Sequence, residues 1–203
     1  GGTSQVLDLA AKQLEVTVLA LGVAILLALP IGLVLGHYGR GEFLAVSAGN
    51  AGRAIPELAL IALMAAAIGV GLVNLVVALA ILGIPPILTN AYVGIKQVDR
   101  ASVEAARGMG MRPWQRLWRV EIPLAVPVIM AGVRVAVVIN IGITAIAAYI
   151  GAGGLGTLIS RGISQTDQRQ LVAGALAVSL LAIVADYALL WMQRRLTPAG
   201  VRA

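Results

Sequence analysis

The sequence predicts an all-α integral membrane protein with five transmembrane helices, and three observations support this fold class. Hydrophobic residues make up 60% of the 203 residues and charged residues only 12%, with a mean hydropathy of +0.95. A soluble domain carries about 25% charged residues, so this chain has too little polar surface to cover a globule in water. Five long apolar segments and a one-sided distribution of basic residues complete the pattern.

Each predicted span is an apolar segment close to the roughly 20 residues that a helix needs to cross a bilayer. The first span has no charge, and its Pro30 is tolerated where neighbouring helices satisfy the freed carbonyl. The second span is short and carries Glu57 near its start. In chain order, the predicted spans are residues 16–36, 54–69, 72–88, 123–150 and 171–192.

Basic residues set the expected orientation, because the cytoplasmic loops of membrane proteins are enriched in Lys and Arg. Most of the 15 basic residues lie in the regions that follow the first, third or fifth span. Each of these regions comes after an odd number of membrane crossings, so all three lie on the same side of the membrane. We therefore expect a membrane protein with its N-terminus outside and its C-terminus in the cytoplasm. The net charge of +6 is then a topology signal, and no aromatic-interleaved basic patch points to nucleic acid.

Residues 90–121 form a polar segment that is long for a compact membrane protein, and long loops are frequently functional. Asp99 can cap a helix that begins near Arg100, Gly110 can end it, and Pro113 can begin a second helix. Helical spacing gives the second helix an apolar face and a basic face. These faces are formed by Trp114, Leu117 and Trp118, and by Arg112, Arg116 and Arg119. The pattern fits either a helical hairpin that lies on the lipid surface or a protruding segment that docks onto another protein.

The same segment carries a family motif. The motif consists of Glu-Ala-Ala, three residues, Gly, nine residues, and then Ile-x-Leu-Pro, and every spacing is matched here. The matching residues are Glu104, Ala105, Ala106 and Gly110, followed by Val120, Glu121, Ile122 and Pro123. Val120 and Ile122 are mild replacements for the usual Ile and Leu. Over residues 13–198, the chain resembles the permease subunits of ATP-binding-cassette (ABC) importers, in which this is the EAA motif.

Further stretches make the chain most similar to the osmoprotectant permeases, which serve glycine betaine, choline, carnitine and similar quaternary amines. The stretches that carry this similarity are residues 54–56, 90–94, 98–99, 150–156, 161–163 and 194–198. Glu57 departs from the family pattern, in which a small polar residue is commoner after Ile-Pro. Aromatic residues make up only 4% of the chain, so an aromatic cage for a quaternary amine is not predicted.

The resemblance implies a single permease domain over residues 1–203, with the five-helix, MetI-like fold of type I ABC importers. Residues 99–121 would be the coupling-helix segment, which in the family inserts into a cleft of the ATPase subunit. Gly110 would allow its sharp turn, and Pro123 would fix the exit into the fourth span. Glu104 would lie at the docking surface, and Ala105, Ala106 and Arg107 complete the residues that the resemblance assigns to ATPase coupling.

The implied partners are cytoplasmic ABC ATPase subunits, a second permease copy or paralogue, an extracytoplasmic solute-binding protein and the lipid bilayer. The chain has no G-x-x-x-x-G-K-[ST] motif, so we expect it not to be an enzyme, and ATP and Mg²⁺ to bind the partner ATPase. No cofactor or metal is expected in the chain itself. Gly151, Gly153 and Gly156 match a dinucleotide fingerprint, but they follow a membrane span, so we interpret them as a turn near the outer mouth.

Polar residues inside the spans suggest further roles. Arg134 and Asp186 lie at similar predicted depths, and we expect a buried ion pair, with separate contacts to a water-filled cavity as the alternative. Three residues of the fourth span either line the translocation path or form interhelical hydrogen bonds. These residues are Asn140, Thr144 and Tyr149. Arg53 and Glu57, spaced i, i+4, are expected to form a weak ion pair.

Other functions stay open at this point. A permease of the same architecture could carry methionine, another amino acid or a metal oxyanion, because the motif does not define the solute. A membrane scaffold that transports nothing is the rival from a different class, although it would not need the motif spacing. A secondary transporter usually contains inverted repeats, which this sequence lacks.

Overall fold

A computed structural model describes residues 2–151 and 153–198, except for the side chains of residues 3, 53 and 150. The described chain consists of helices and their connecting turns. The helices are α1 (Gly2–Tyr38), α2 (Glu42–Ala54), α3 (Glu57–Ile68), α4 (Leu72–Lys96), α5 (Arg100–Gly108), α6 (Pro113–Arg116), a π-helical turn (Leu117–Glu121), α7 (Ile122–Ala147), a 3₁₀ turn (Ala148–Ile150), α8 (Gly156–Ser164) and α9 (Gln168–Leu196).

Four helical segments in the described chain are long and apolar enough to cross a membrane: α1, α4, α9 and the stretch from Pro113 to Ala147. The helices α2 and α3 supply a fifth crossing only if they are taken together, because their axes meet at 92°. The architecture is therefore the predicted all-helical membrane fold, with four continuous spans and one broken span.

The second span differs from the prediction of one helix over residues 54–69. The helix α3 has 12 residues, about 18 Å in length, which is too short for a hydrocarbon core of about 30 Å. Pro56 causes the break, because a proline disfavours helical geometry in the residue before it. Ile55 accordingly has the extended angles φ −77° and ψ 120°. The helix α2, which lies in a segment predicted to be a loop, forms the other half of the bent pair.

Small residues bring α1 and α4 together at the centre of the bundle. Ala20, Ala24 and Ala28, spaced four apart on α1, are fully buried. Farther along the same helix, a Cβ added at Gly32 would lie 2.7 Å from the Cβ of Ala91, and one added at Gly36 would lie 2.8 Å from the Cβ of Ile95. The two backbones therefore approach as closely as small residues in membrane helices allow.

The core clusters define the directions of the helices. One cluster joins Val16 of α1 and Leu79 of α4 to Ile143 near the end of α7. Another joins Leu33 and Ile95, near the ends of α1 and α4, to residues at the start of α7. Thus α1 and α4 run parallel and α7 runs antiparallel to both. We call the end of the bundle that carries α5 and α6 the coupling end.

At the opposite end, a glycine turn is anchored to α1. Gly151, Gly153 and Gly154 have φ values of +84°, +76° and +78°, which other residues rarely adopt. The buried side chain of Gln13 donates Nε2 to the carbonyl of Ile141 and accepts the backbone N–H of Leu155, both at 2.9 Å. Gln13 thereby ties α1 to the end of α7 and to the turn before α8.

Candidate functional site

The helix α5 begins and ends with specific capping interactions. Asp99 accepts hydrogen bonds from the backbone N–H and the hydroxyl of Ser102, at 3.0 and 3.1 Å. These two bonds hold the pKa of the exposed Asp99 carboxyl below its ordinary value, and the backbone N–H of Ser102 has the larger effect. At the other end, Gly110 has φ +76°. The N–H of Gly110 donates to the carbonyl of Arg107, and the N–H of Met111 donates to the carbonyl of Ala106. This is a Schellman motif, and its left-handed residue explains why glycine stands at position 110.

The Glu-Ala-Ala residues lie on α5 with one face inward and one outward. Ala106 is buried, with 1% of its surface exposed, because it faces the body of the bundle. Glu104, Ala105 and Arg107 are exposed. The coupling end thus presents a surface on which a carboxylate and a guanidinium lie close together on one helix.

The second helix continues without interruption into the fourth span. The chain is helical from Pro113 to Ala147, with the π-helical turn Leu117–Glu121 inside it. In that turn the N–H of Ile122 bonds to the carbonyl of Leu117, five residues earlier. Pro123, which has no N–H, follows immediately, and the wider π turn accommodates the lost helical bond. The helices α6 and α7 are therefore parts of one continuous helical segment.

The side chains of α6 and of the π turn differ in exposure. Trp114 and Trp118 are exposed and make an edge-to-face contact, with ring centroids 5.5 Å apart. Leu117 is buried, as expected for the apolar face. Arg116 was predicted to lie on an exposed basic face, and this was wrong: only 8% of its surface is exposed. The prediction considered only the helical face of Arg116 and did not include its buried partner Glu121.

Arg116 is buried because it belongs to a triad of contacting side chains with Glu121 and His37. Its Nε donates to Oε1 of Glu121 at 2.8 Å, and Oε2 of Glu121 lies 2.5 Å from Nδ1 of His37. The three side chains are only 10%, 6% and 3% exposed. Sequence analysis missed this cluster, because His37 was placed in a loop whereas it lies in the last turn of α1. The sequence did place Glu121 and His37 at the cytoplasmic ends of two spans, and this was its only indication that they could meet.

A cavity of about 370 Å³ lies beside the triad at the coupling end. Its walls come from α1, the end of α4, α5 and α6, so Glu104 and Arg107 line the same space as the triad. The other charged residues on its walls are Lys96 and Arg100. Glu104 and Arg107 of the motif therefore face the ends of α1 and α4 across this polar cavity.

Arg134 and Asp186 join α7 to α9. The guanidinium donates Nε to Oδ1 and Nη2 to Oδ2, both at 2.7 Å, which is the bidentate geometry of strong ion pairs. Their side chains are 25% and 29% exposed in the isolated chain, so the pair lies at the edge of the bundle rather than in its centre.

The polar residues proposed for the path occupy two different environments. Asn140 is fully buried, and neither its Nδ2 nor its Oδ1 has a hydrogen-bond partner in the described chain. Thr144 is also buried and donates to the carbonyl of Asn140 at 2.7 Å. Tyr149 is 51% exposed and lines a cavity of about 270 Å³ with residues of α8 and α9.

A further cavity of about 430 Å³ lies at the bend between α2 and α3. The rest of its wall comes from the middle of α4 and from α7. Glu57, Thr89 and Asn90 supply its polar side chains, and Pro85 and Pro86 of α4 also line it. Sequence analysis named none of these as path residues, although a proline pair within a span leaves helical carbonyls without their usual N–H partners.

Residues 18–199 match the family described as the binding-protein-dependent transport system inner membrane component. The chain belongs to this family. Among curated relatives of this permease, it is 42% identical to the osmoprotectant import permease protein OsmW of Salmonella typhimurium, over 94% of this chain and 91% of that protein. It is 37% identical to the glycine betaine/carnitine/choline transport system permease protein OpuCB of Bacillus subtilis, over 94% and 88%.

Solved structures have the same fold as this permease. The methionine ABC transporter MetNI, in an inward-facing conformation, superposes with a TM-score of 0.80 and 23% identity, covering 97% of this chain and 98% of that chain. An amino acid ABC transporter with histidines superposes with a TM-score of 0.75 and 22% identity, covering 95% and 94%. The permease therefore has the type I ABC importer fold and is a multi-pass inner-membrane protein.

Proposed function

We propose that this chain is the permease subunit of an ATP-driven importer for quaternary-amine osmoprotectants such as glycine betaine, choline and carnitine. The observation that carries the proposal is the similarity to permeases named for these solutes, which extends over nearly the whole chain. The Glu-Ala-Ala segment at one end of the bundle supports the ATP-driven part of the proposal. The chain itself would bind neither ATP nor Mg²⁺, which belong to its partner.

In this proposal, α5 is the coupling helix. The exposed Glu104, Ala105 and Arg107 contact the ATPase, and the buried Ala106 holds α5 against the bundle. Gly110 allows the turn into α6. Pro123 follows the π turn through which α6 continues into α7, so that closure of two ATPases moves two copies of α7 as rigid levers.

The triad extends this connection to a second span. Glu121, which binds Arg116 within the coupling segment, joins that segment to α1 through one buried contact with His37. Movement of the coupling segment then carries α1 and α7 together. Because α1 packs closely on α4, three spans move as one body in this proposal.

The basic coupling end faces the cytoplasm, following the positive-inside rule, and this places the N-terminus outside. A second copy or a paralogue of this permease forms the other half of the translocation path. An extracytoplasmic solute-binding protein delivers the substrate at the opposite end of the bundle, where the glycine turn lies. Two cytoplasmic ATPases drive the change between outward-open and inward-open states.

Asn140, Thr144 and Tyr149 remain our candidates for the path. A fully buried amide without partners is unfavourable by about 1–3 kcal/mol. In our proposal this unfavourable term is relieved in another state of the transport cycle, in which α7 turns Asn140 toward water in the path. Thr144 follows one turn later on the same helix, and Tyr149 lies beyond it.

A transport assay tests the substrate class. The permease is reconstituted in liposomes with the ATPase and the solute-binding protein of the same transporter, and ATP-dependent uptake of labelled glycine betaine, choline and methionine is measured. Uptake of a quaternary amine without methionine is the expected result. Uptake of methionine alone would keep the importer architecture and refute the substrate class. Failure of any ATPase to associate would favour a scaffold that does not transport.

A further inference from the structure

We infer that the cavity between α2, α3, α4 and α7 is a substrate station for a cation, in which the Glu57 carboxylate selects positively charged quaternary amines. This inference rests on the proposed function, because it assigns part of the specificity of that transporter to the permease itself. The other possibility is that the solute-binding protein alone determines the substrate.

The cavity lies at the break between α2 and α3 and beside two prolines inside the continuous helix α4. The bend of 92° between α2 and α3 forms one wall, and Pro85 and Pro86, near the middle of the 25-residue helix α4, form another. Interrupted helices near the middle of a membrane are typical of transporter binding sites, because their free backbone groups can coordinate a ligand. The volume of about 430 Å³ lies within the range of roughly 300–1,000 Å³ typical of small-molecule pockets.

The walls of the cavity supply oxygen atoms as hydrogen-bond acceptors. Pro86 has no N–H, so the carbonyl of Leu82, which also lines the cavity, lacks its usual helical partner. Asn90 donates its Nδ2 to the carbonyl of Pro86 at 2.8 Å, which leaves Oδ1 as an acceptor. Thr89 donates its hydroxyl to the carbonyl of Ala45 at 2.9 Å and keeps its acceptor lone pairs.

Glu57 gives the cavity its charge. It lies in the first turn of α3, where the helix dipole favours a negative group, and no Lys, Arg or His is among the described residues that line the cavity. The expected pairing with Arg53 assumed one continuous helix, whereas the chain breaks at Ile55 and Pro56 between them. The side chain of Arg53 lies outside the described part of the structure.

A quaternary ammonium group fits these walls chemically. It has no N–H to donate, and its positive charge is spread over methyl groups, which make weak C–H···O contacts with carbonyl and carboxylate oxygens. No aromatic residue lines the cavity among the described residues, so the attraction comes from oxygen atoms rather than from an aromatic cage. Choline has a net positive charge and glycine betaine is a zwitterion, so a single carboxylate favours choline.

The test compares the uptake of choline and glycine betaine by the complete transporter in liposomes. The binding protein is unchanged between variants, so a change in the ratio of the two uptake efficiencies reports on the permease. We expect Glu57→Gln to lower the choline to glycine betaine ratio about tenfold, the effect of losing one close charge attraction. Glu57→Asp keeps the ratio near that of the wild type.

Glu42→Gln is the matched control, because Glu42 is an exposed acid in the first turn of α2 that does not line the cavity. If Glu57→Gln prevents assembly, Glu57→Ser carries the same test with a small polar residue. An unchanged ratio in an assembled variant overturns the inference while the proposed function stands. A wild-type transporter that takes up neither amine overturns the proposed function and the inference with it.

Discussion

The imidazole Nδ1 of His37 lies 2.5 Å from the Oε2 of Glu121, although the two residues are 84 positions apart in the chain. His37 ends the first span and Glu121 precedes the fourth, so this contact joins two spans at the coupling end. Arg116 binds the other carboxylate oxygen from the helix that follows the Glu-Ala-Ala segment. Glu121 is thus the point at which the coupling segment is attached to the bundle.

Replacing Glu121 with Gln is expected to destabilise the permease far more than replacing His37 with Gln. Glu121→Gln leaves the buried guanidinium of Arg116 without a counter-charge, which lowers the free energy of unfolding by about 3–5 kcal/mol. His37→Gln keeps the pair of Arg116 with Glu121 and loses about 1 kcal/mol. Thermal unfolding in lipid nanodiscs measures both variants. Equal losses would show that Glu121 does not organise the triad.

The pair of Arg134 with Asp186 predicts a rescue. Arg134→Met alone leaves a carboxylate unpaired at the edge of the membrane bundle, and a loss of about 3 kcal/mol is expected for one charge in a span. In the double variant Arg134→Met with Asp186→Leu, no charge remains, so folded yield and thermal stability recover in part. A double variant no more stable than Arg134→Met would contradict the pairing.

Close packing of α1 on α4 predicts a contrast between two glycines of the same helix. A methyl group at Gly32 would lie 2.7 Å from the Cβ of Ala91 and 2.8 Å from the carbonyl oxygen of Leu88, so Gly32→Ala forces the helices apart. The expected loss is about 1–3 kcal/mol. Gly22 has no atom within 4 Å of the added methyl group, so Gly22→Ala is neutral or stabilising. Denaturation of both variants in the same detergent tests the contrast.

The proposed path role of Asn140 predicts accessibility that depends on the transport state. The sequence has no cysteine, so Asn140→Cys introduces a single reactive thiol. We expect little labelling by a water-soluble maleimide without ATP and faster labelling during turnover. Leu79→Cys, at another fully buried position, is the control that stays unlabelled in both conditions. Labelling that never changes with ATP would assign Asn140 to packing alone.

Several features of the fold follow directly from the sequence, and the misses have physical causes. The first, third, fourth and fifth spans are continuous hydrophobic segments, and hydropathy predicts them well. The second was predicted as one helix because its composition is apolar, although Pro56 already marked the break that creates the cavity. Contacts between distant residues, such as His37 with Glu121, depend on helix packing, which one sequence does not contain.

The faces of α6 show a different kind of error. Arg116 was assigned to an exposed face by helical periodicity, which does not reveal its pairing with the buried carboxylate of Glu121. The π turn itself was not predicted, because the sequence around Pro123 is compatible with either a new helix or a continuous one. The Glu-Ala-Ala motif, in contrast, was found from sequence because its spacing is fixed along the chain.

The measurement that tests the central claim most directly is substrate-stimulated ATP hydrolysis by the reconstituted transporter with Glu104→Arg. Glu104 is exposed on α5, so its reversal leaves the fold intact and places a positive charge on the proposed docking surface. Glu42→Arg, the same change on exposed α2, is the control. We predict that Glu104→Arg abolishes stimulation and weakens ATPase association, while Glu42→Arg retains both. Full stimulation in the assembled Glu104→Arg transporter would contradict the account of α5 as the coupling helix.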